Sequence, residues 1–415
     1  MTSDSGPGAG DRLRPLAIPE SCLHGVFRAA EERERTTGRK TIRLHVGEPD
    51  FAPPDTVREA LVAAVRDGRT AYTSAEGLLE LREALTAKLR EENGLRTSPD
   101  RVFLTPGSCQ GLSAVFQTLA APGAEILLPE LHWPIHLQQI MLAGFRPVFY
   151  PLRHDFTPDV DALAALTGPR TRAVLVNSPA NPTGAVMDEA AVRQLVELAH
   201  RSGWFLISDE AYEHFVYRGR HLSPASLEAG LAEPERRVFS TFSFSKSYAM
   251  TGYRLGYVVT PNATTARALR TTQEANIVSP ATPVQYAGLA ALAARTATEE
   301  NRRAVAHAVD TALPPLIEAG LLTRPPAGGW YAVLDVERTG LEAEVLAAKL
   351  LHECDVAVAP ARGFALRPVM ARDSTVTGVD ELPSARHLLR LALCGPPEEL
   401  VSGVRSLLDL VAGQR

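Results

Sequence analysis

Lys246 stands in a run of hydroxyls, TFSFSKSYAMTGYRLGY over 241–257. Ser243, Ser245 and Ser247 surround it, Arg254 follows eight residues on, and glycines occupy 252 and 256. A solvated surface lysine needs none of these neighbours. An amine can form an imine with a carbonyl compound, and hydroxyls beside a guanidinium can hold a phosphate. Three other stretches carry polar groups in similar settings. NSPANPTG (177–184) sets Asn177 and Asn181 among prolines. ISDEAYE (207–213) ends an apolar run with Asp209 and places Tyr212 three residues on. LTPGSCQGL (104–112) brings Ser108 and Cys109 to a helix start, where free N–H groups bind an anion. Each stretch alone has an ordinary explanation: a stiff loop, a helix cap, a connecting turn.

The elements that must position these groups are short apolar runs. They read as strands at 101–105, 125–129, 146–151, 172–179, 204–210, 237–243 and 254–261, with helical stretches such as 190–203 between most of them. Strands too apolar to show a polar face, alternating with helices, predict an α/β fold around a mostly parallel seven-stranded sheet flanked by helices. In such sheets ligands sit beyond the carboxyl ends of the strands, where the polar residues above lie. Residues 262–320 read as one long helical region. After them GGWYAVLDV (328–336), a helix near 341–354, VAVAP (356–360) and LLRLALC (388–394) predict a smaller α+β domain. The expected organisation is a disordered tail over 1–15, an N-terminal segment of the small domain over 16–60, a large domain over 61–300 and the rest of the small domain over 301–415.

Bulk properties exclude several classes. The 415 residues are 45% hydrophobic with a net charge of −5, which speaks against a nucleic-acid or membrane-surface protein. The four cysteines, Cys22, Cys109, Cys354 and Cys394, form no CxxC pair, and no Cys/His cluster has zinc spacing, so no metal is expected. No secretory h-region and no membrane-spanning stretch is present, and free thiols fit a reducing compartment, so a cytoplasmic protein is expected. No GxGxxG follows a strand and no P-loop exists, which sets nicotinamide and nucleotide chemistry aside.

Taken jointly, the polar strand ends offer a phosphate anchor, a carboxylate for a pyridinium nitrogen, an amide and a phenol for a ring oxygen, and an imine-forming lysine. Pyridoxal 5′-phosphate needs that set. SFSKSYAMTGYRLGY, NSPANPTG, SDEAYE, GEPDFAPPD (47–55) and AYTSAEGLLELREAL (71–85) resemble the class I/II aminotransferases of PLP fold type I, from about Ile18 to the C-terminus. The resemblance implies that Lys246 holds the cofactor as a Schiff base and then shuttles a proton, while Asp209 keeps the ring nitrogen protonated. It implies that Asn181 and Tyr212 bond the ring oxygen, and that Ser108, Cys109, Ser243, Ser245 and Arg254 form the phosphate cup. Trp133 matches an aromatic stacked on the ring. Tyr72 matches a residue reaching the phosphate from a neighbouring subunit, so a homodimer with shared active sites follows. Arg390 and Gly47 match contacts to the substrate α-carboxylate. The implied reaction moves an amino group from an L-amino acid to a 2-oxo acid.

Departures from the family pattern refine the expectation. Relatives that use aspartate place a lysine where Cys109 stands, and a thiol cannot meet a distal carboxylate, so acidic substrates are expected to be poor. His136 stands where relatives often carry tyrosine; with Leu23, Leu131 and His132 it suggests a neutral to apolar side-chain pocket. The connection 365–389 is long and charged, and reads as a surface insertion in preference to a lid. The same scaffold supports elimination, cyclisation or oxidation in specialised metabolism, which is the alternative outcome. With about 15–40 residues ahead of the matched region and no basic footprint, a DNA-binding module is not expected.

Overall fold

The computed structural model describes residues 18–371 and 376–413, so the tail expected to be disordered over 1–15 lies outside the described residues. Helix α1 (Cys22–Thr37) leads to strand β1 (Ile42–Arg43), then to α2 (Asp55–Arg66) and α3 (Leu79–Glu92). Strand and helix then alternate: β2 (Val102–Thr105), α4 (Gly107–Leu119), β3 (Glu125–Pro129), α5 (Pro134–Leu142), β4 (Arg146–Tyr150), α6 (Val160–Leu166), β5 (Thr171–Asn177), α7 (Glu189–Ser202) and β6 (Phe205–Asp209). A longer excursion precedes β7 (Val238–Ser243), the four-residue helix α8 (Phe244–Ser247) and β8 (Gly256–Val259). Local chemistry explains the boundaries. Asp188 accepts the Ala191 N–H at the start of α7, and Gly203 ends that helix in the left-handed region at φ +77°. Between them Val192, Leu195, Val196 and Ala199 recur at helical spacing and are buried.

Strands β2 to β8 form one seven-stranded sheet in the order β2-β8-β7-β6-β5-β3-β4. Its five strands from β7 to β4 run parallel, and β8 runs antiparallel to both neighbours. Asn177, Asp209 and Ser243 therefore end three adjacent strands on the same edge. One face of the sheet packs Phe103, Ile126 and Phe239 against Leu112 and Phe116 of α4. On the other side Phe242 and Tyr257 meet Leu81, Leu85 and Val57.

The long helical region expected over 262–320 is there as four helices: α9 (Ala263–Ile277), α10 (Thr282–Ala293), α11 (Arg295–Ala312) and α12 (Pro314–Glu318). Pro283 and Pro314 open new helices because they lack the N–H that continuation needs, and Val278 turns the chain at φ +61°. Strand β9 (Tyr331–Asp335) and α13 (Ala343–Cys354) come next. VAVAP, expected as one strand, is two: β10 (Val356–Ala357) pairs with β1, and β11 (Ala359–Pro360) belongs to a different sheet. Buried Val358 is the corner between them.

The connection over 365–389 holds a hairpin, β12 (Leu366–Met370) and β13 (Val376–Glu381), followed by a 3₁₀ turn at Pro383–His387. It packs back on the large sheet. Leu366 and Val376 join the core beside α4, Arg367 pairs with Glu130 at 3.0 Å, and Arg146 Nη1 donates to the Ala371 carbonyl at 2.7 Å. Strand β14 (Leu388–Ala392) lies between β11 and β9 in a three-stranded antiparallel sheet, and α14 (Pro397–Ala412) covers it. A separate core gathers Leu44, Val305, Leu334, Leu346, Leu389 and Leu400. The domain boundaries expected at 60 and 300 fall inside α2 and α11.

Candidate active site

Lys246 is presented by a helix of one turn. Ser243 ends β7, and its hydroxyl accepts the Ser245 N–H at 3.1 Å, while buried Phe244 anchors the turn. The Lys246 ammonium donates to the Gly47 carbonyl at 2.8 Å and lies 4.8 Å from the Trp330 ring centroid. Removal from water disfavours the charged form, and burial pulls its pKa down to about 8. Gly47 must be glycine for this approach: a Cβ there would run into the Tyr331 hydroxyl.

Asp209 closes β6 and is 4% exposed. Its Oδ2 lies 2.9 Å from Nε2 of buried His136, and its Oδ1 accepts the Ala211 N–H at 3.2 Å. The neighbouring strand end is tied to it: Asn177 Nδ2 donates to the Asp209 carbonyl at 3.0 Å, and Asn177 Oδ1 accepts the Asn181 N–H at 2.7 Å. Tyr212 donates its hydroxyl to Tyr331 at 3.2 Å, and burial raises its pKa, so the phenol stays protonated. Lys246 and Asp209 line one cavity of about 250 Å³, with Asn181 and Tyr212 on its wall.

The far end of that cavity is built for an anion. Ser108 and Cys109 occupy the first turn of α4, whose amides have no intrahelical acceptor. Gly107 sits at φ +75°, where a Cβ would strike the Arg254 guanidinium. Arg254 itself holds φ +57°, costly for a residue with a side chain, and donates from Nη1 to the Thr251 carbonyl at 2.8 Å and to Ser245 Oγ at 3.4 Å. Gln139 fixes Cys109 through bonds to its carbonyl at 2.7 Å and its sulfur at 3.2 Å, and burial pushes the thiol pKa up. Trp133 forms a side wall, edge-on to His136 at 5.1 Å between centroids.

Eleven of the residues singled out in the sequence thus line one cavity: Ser108, Cys109, Trp133, Asn177 and Asn181, then Asp209, Tyr212, Ser243, Ser245, Lys246 and Arg254. Gly47 touches it through Lys246. Arg390 lies beside it, 1% exposed. Its Nη1 donates to Asn181 Oδ1 at 3.1 Å and its Nη2 to the His45 carbonyl at 2.6 Å, and its guanidinium carbon lies 4.2 and 4.5 Å from the ring centroids of Tyr331 and Phe364. Tyr72 is 85% exposed and does not line the cavity within one chain. The four residues expected to shape a side-chain pocket do not line it either. Leu131 joins a small core with Val333 and Ala361, His132 packs on Phe149, His136 holds Asp209, and Leu23 lies half-buried on α1. Tyr331, Thr251 and Gln139 take part without having been singled out.

A protonated or cationic ring nitrogen against Asp209, a ring oxygen near Asn181 and Tyr212, an aldehyde at Lys246 and a phosphate over the α4 amides and Arg254 all find a partner here. The residues present therefore fit pyridoxal 5′-phosphate.

Comparison with known proteins agrees with this geometry. The family model described as aminotransferase class I and II matches residues 39–400. A probable aspartate/prephenate aminotransferase of Thermus aquaticus is 36% identical over 392 residues, covering 93% of this chain and 99% of that one. Aromatic-amino-acid aminotransferase 2 of Thermococcus litoralis is 34% identical over 330 residues, 78% of this chain and 84% of that one. The solved structure of the Thermus thermophilus aspartate aminotransferase with maleate superposes with a TM-score of 0.85 at 32% identity, covering 96% of this chain and 98% of the other.

Proposed function

The chain belongs to the aminotransferase class I and II family, and from that premise we propose how its residues divide the work and which substrates they accept. It is a pyridoxal 5′-phosphate-dependent aminotransferase that exchanges an amino group between an amino acid and a 2-oxo acid. The cofactor supplies an aldehyde that takes up the amino group and a ring that withdraws electrons from the substrate Cα. Lys246 is the residue that would hold that aldehyde, and its amine is placed to move the proton at the substrate Cα. Asp209 keeps a positive charge on the ring nitrogen, and His136 fixes the Asp209 carboxylate. Asn181 Nδ2 would donate to the ring oxygen, and Tyr212 would do so by turning its hydroxyl away from Tyr331. Ser108, Ser243, Ser245, Arg254 and the Cys109 amide hold the phosphate, and Trp133 packs against the ring. Arg390 is already oriented by Asn181 and His45, so its guanidinium can take the α-carboxylate in a two-point grip. The observation that carries this assignment is the placement of Lys246 and Asp209 in one small cavity. The relatives' names are those of aminotransferases, which disfavours elimination, cyclisation or oxidation.

The donor is a neutral or apolar L-amino acid, aromatic ones included. Lys246 and Arg254 are the cations lining the cavity among the described residues, and both are assigned to the cofactor. Cys109 faces the same space as a neutral thiol. A second substrate carboxylate would be desolvated without a cation, at roughly 1–3 kcal/mol, or about 10–100-fold in kcat/KM. A panel of amino donors should show neutral donors ahead of aspartate and glutamate by that margin. Aspartate or glutamate as the best donor would overturn the assignment.

The active form is a homodimer. Tyr72 projects into solvent, Val62 and Val65 on α2 and Val278 before α10 are exposed apolar residues as well, and Thr282 ties the Tyr72 segment to α10 through the Ala71 carbonyl at 2.6 Å. A second copy covers this surface, and the Tyr72 hydroxyl reaches the partner's phosphate site. Light scattering should give twice 44.7 kDa, and Tyr72→Phe should weaken cofactor retention several-fold without changing that mass. A fully active monomer would refute the shared site.

A further inference from the structure

Beneath Lys246 runs a chain of side chains that the site as described leaves unused. Ser247 ends α8 and is 1% exposed. Its Oγ lies 2.7 Å from Nδ1 of His214, and Nε2 of that ring lies 3.1 Å from Oε2 of Glu92, at the end of α3. The Ser247 carbonyl also accepts from Asn301 Nδ2 of α11 at 3.3 Å. Serine, histidine and carboxylate in this order resemble a hydrolase triad. Ser247 does not line the cavity, however, and a buried hydroxyl that no substrate reaches is not a nucleophile.

The groups facing the imidazole decide which bonds are open to it. Glu213 approaches Nδ1 at 3.9 Å, but that carboxylate is committed to Lys88 at 2.6 Å and to Asn93 at 2.6 Å. Tyr248 meets the ring edge-on at 6.3 Å. Glu92 is left as the acceptor for Nε2–H, and the 2.7 Å bond between Nδ1 and Ser247 Oγ forms with either partner as the donor. The chain thus runs from the surface at Glu92 to the turn that carries Lys246.

We propose that His214 is a positioning residue for Lys246 and acts through Ser247. The physical need is plain. A helix of four residues has a single turn, and one turn does not hold its own geometry. Ser243 fixes its first end, and the His214–Ser247 bond with Asn301 fixes its last. Between these clamps the Lys246 amine must meet the Gly47 carbonyl and, in catalysis, an atom of the cofactor or substrate, where a displacement of about 1 Å lowers rate on the order of 100-fold. This role rests on Lys246 being the cofactor lysine.

Two replacements of His214 separate its two bonds. An asparagine amide reaches about as far as Nδ1 and keeps a bond to Ser247 while losing Glu92. A glutamine amide reaches about as far as Nε2, keeps Glu92 and loses Ser247. In the holoenzyme, Ser247→Ala and His214→Gln should each lower kcat about tenfold, leave KM for the amino donor within about twofold, and shift the pH midpoint of the bound cofactor's visible absorption. His214→Asn should recover most of kcat and the wild-type midpoint. The double variant Ser247→Ala/His214→Gln should be no worse than either single one. Wild-type kcat and an unshifted midpoint in folded Ser247→Ala would overturn the role, as would equal losses in His214→Asn and His214→Gln. Should His214→Gln fail to fold, Ser247→Ala decides alone. A wild-type protein with no visible cofactor band after loading would be a different result, because it would overturn the Lys246 assignment itself.

Discussion

Lys246→Ala is expected to lower kcat/KM at least ~10⁴-fold while the protein remains folded. Two functions are lost together: the covalent hold on the cofactor aldehyde and the amine that moves the Cα proton, a step in which a positioned base contributes roughly 10²–10⁴-fold by itself. Folding should survive because the side chain makes one hydrogen bond, to the Gly47 carbonyl, and the turn around it is held by Ser243, Phe244 and Ser247. Borohydride should fix the yellow cofactor to the wild-type chain at residue 246 and to no residue of the variant. The pH dependence of loading gives a companion readout. The neutral amine is the form that attacks an aldehyde. Burial brings Lys246 from 10.5 down to about 8, so the neutral fraction in the cofactor-free chain rises about tenfold per pH unit up to about pH 8 and levels above it. Stopped-flow absorbance on adding cofactor should follow that curve. A loading rate still climbing tenfold per unit beyond pH 9 would show an ordinary solvated lysine, and residual activity above a few per cent in the variant would remove Lys246 from the mechanism.

What the sequence reveals of this site, and what it hides, follows from the range of each interaction. Most runs of the large sheet are legible because both faces of strands such as β2, β3, β7 and β8 are buried, which leaves apolar stretches bounded by turn residues. Parallel packing then carries Asn177, Asp209 and Ser243 to a common edge, so residues 66 positions apart in the chain can be assigned to one site from local strings alone. The reversed direction of β8 is not legible, since an apolar run of four residues reads the same either way. Contacts between distant segments are hidden for a similar reason. Nothing in WPIH announces that His136 will meet Asp209, and nothing in GGWYAV announces that Tyr331 will bond Tyr212, lie against Arg390 and demand glycine at 47. These depend on how β9 and the segment 45–48 dock beside the strand ends. The hairpin of β12 and β13 escaped because Arg367, Pro368 and Asp380 interrupt its pattern, yet Leu366, Arg367 and Val376 hold it to the large sheet.

Asp209→Asn is the second large effect expected, and it separates binding from chemistry. The amide fills the same volume, can accept the Ala211 N–H as Oδ1 does now, and can keep a contact with His136. The phosphate end, with the α4 amides and Arg254, and the amine of Lys246 are untouched, so the cofactor should load to full occupancy. What disappears is the negative charge at the base of the cavity. A carboxylate that is 4% exposed acts across few intervening waters, and there its attraction for a cationic ring nitrogen far exceeds that of an exposed pair. Without it the ring nitrogen gives up its proton, and the ring can no longer draw charge from Cα as the proton leaves. Preorganised charges of this kind contribute on the order of 10²–10³-fold, and kcat for the half-reaction should fall by that factor with little change in KM. Single-turnover absorbance with an amino donor alone measures the step without the second substrate. A cofactor-replete variant whose single-turnover rate stays within about threefold of wild type would mean that Asp209 does not govern the ring nitrogen, and that its bond to His136 serves packing instead.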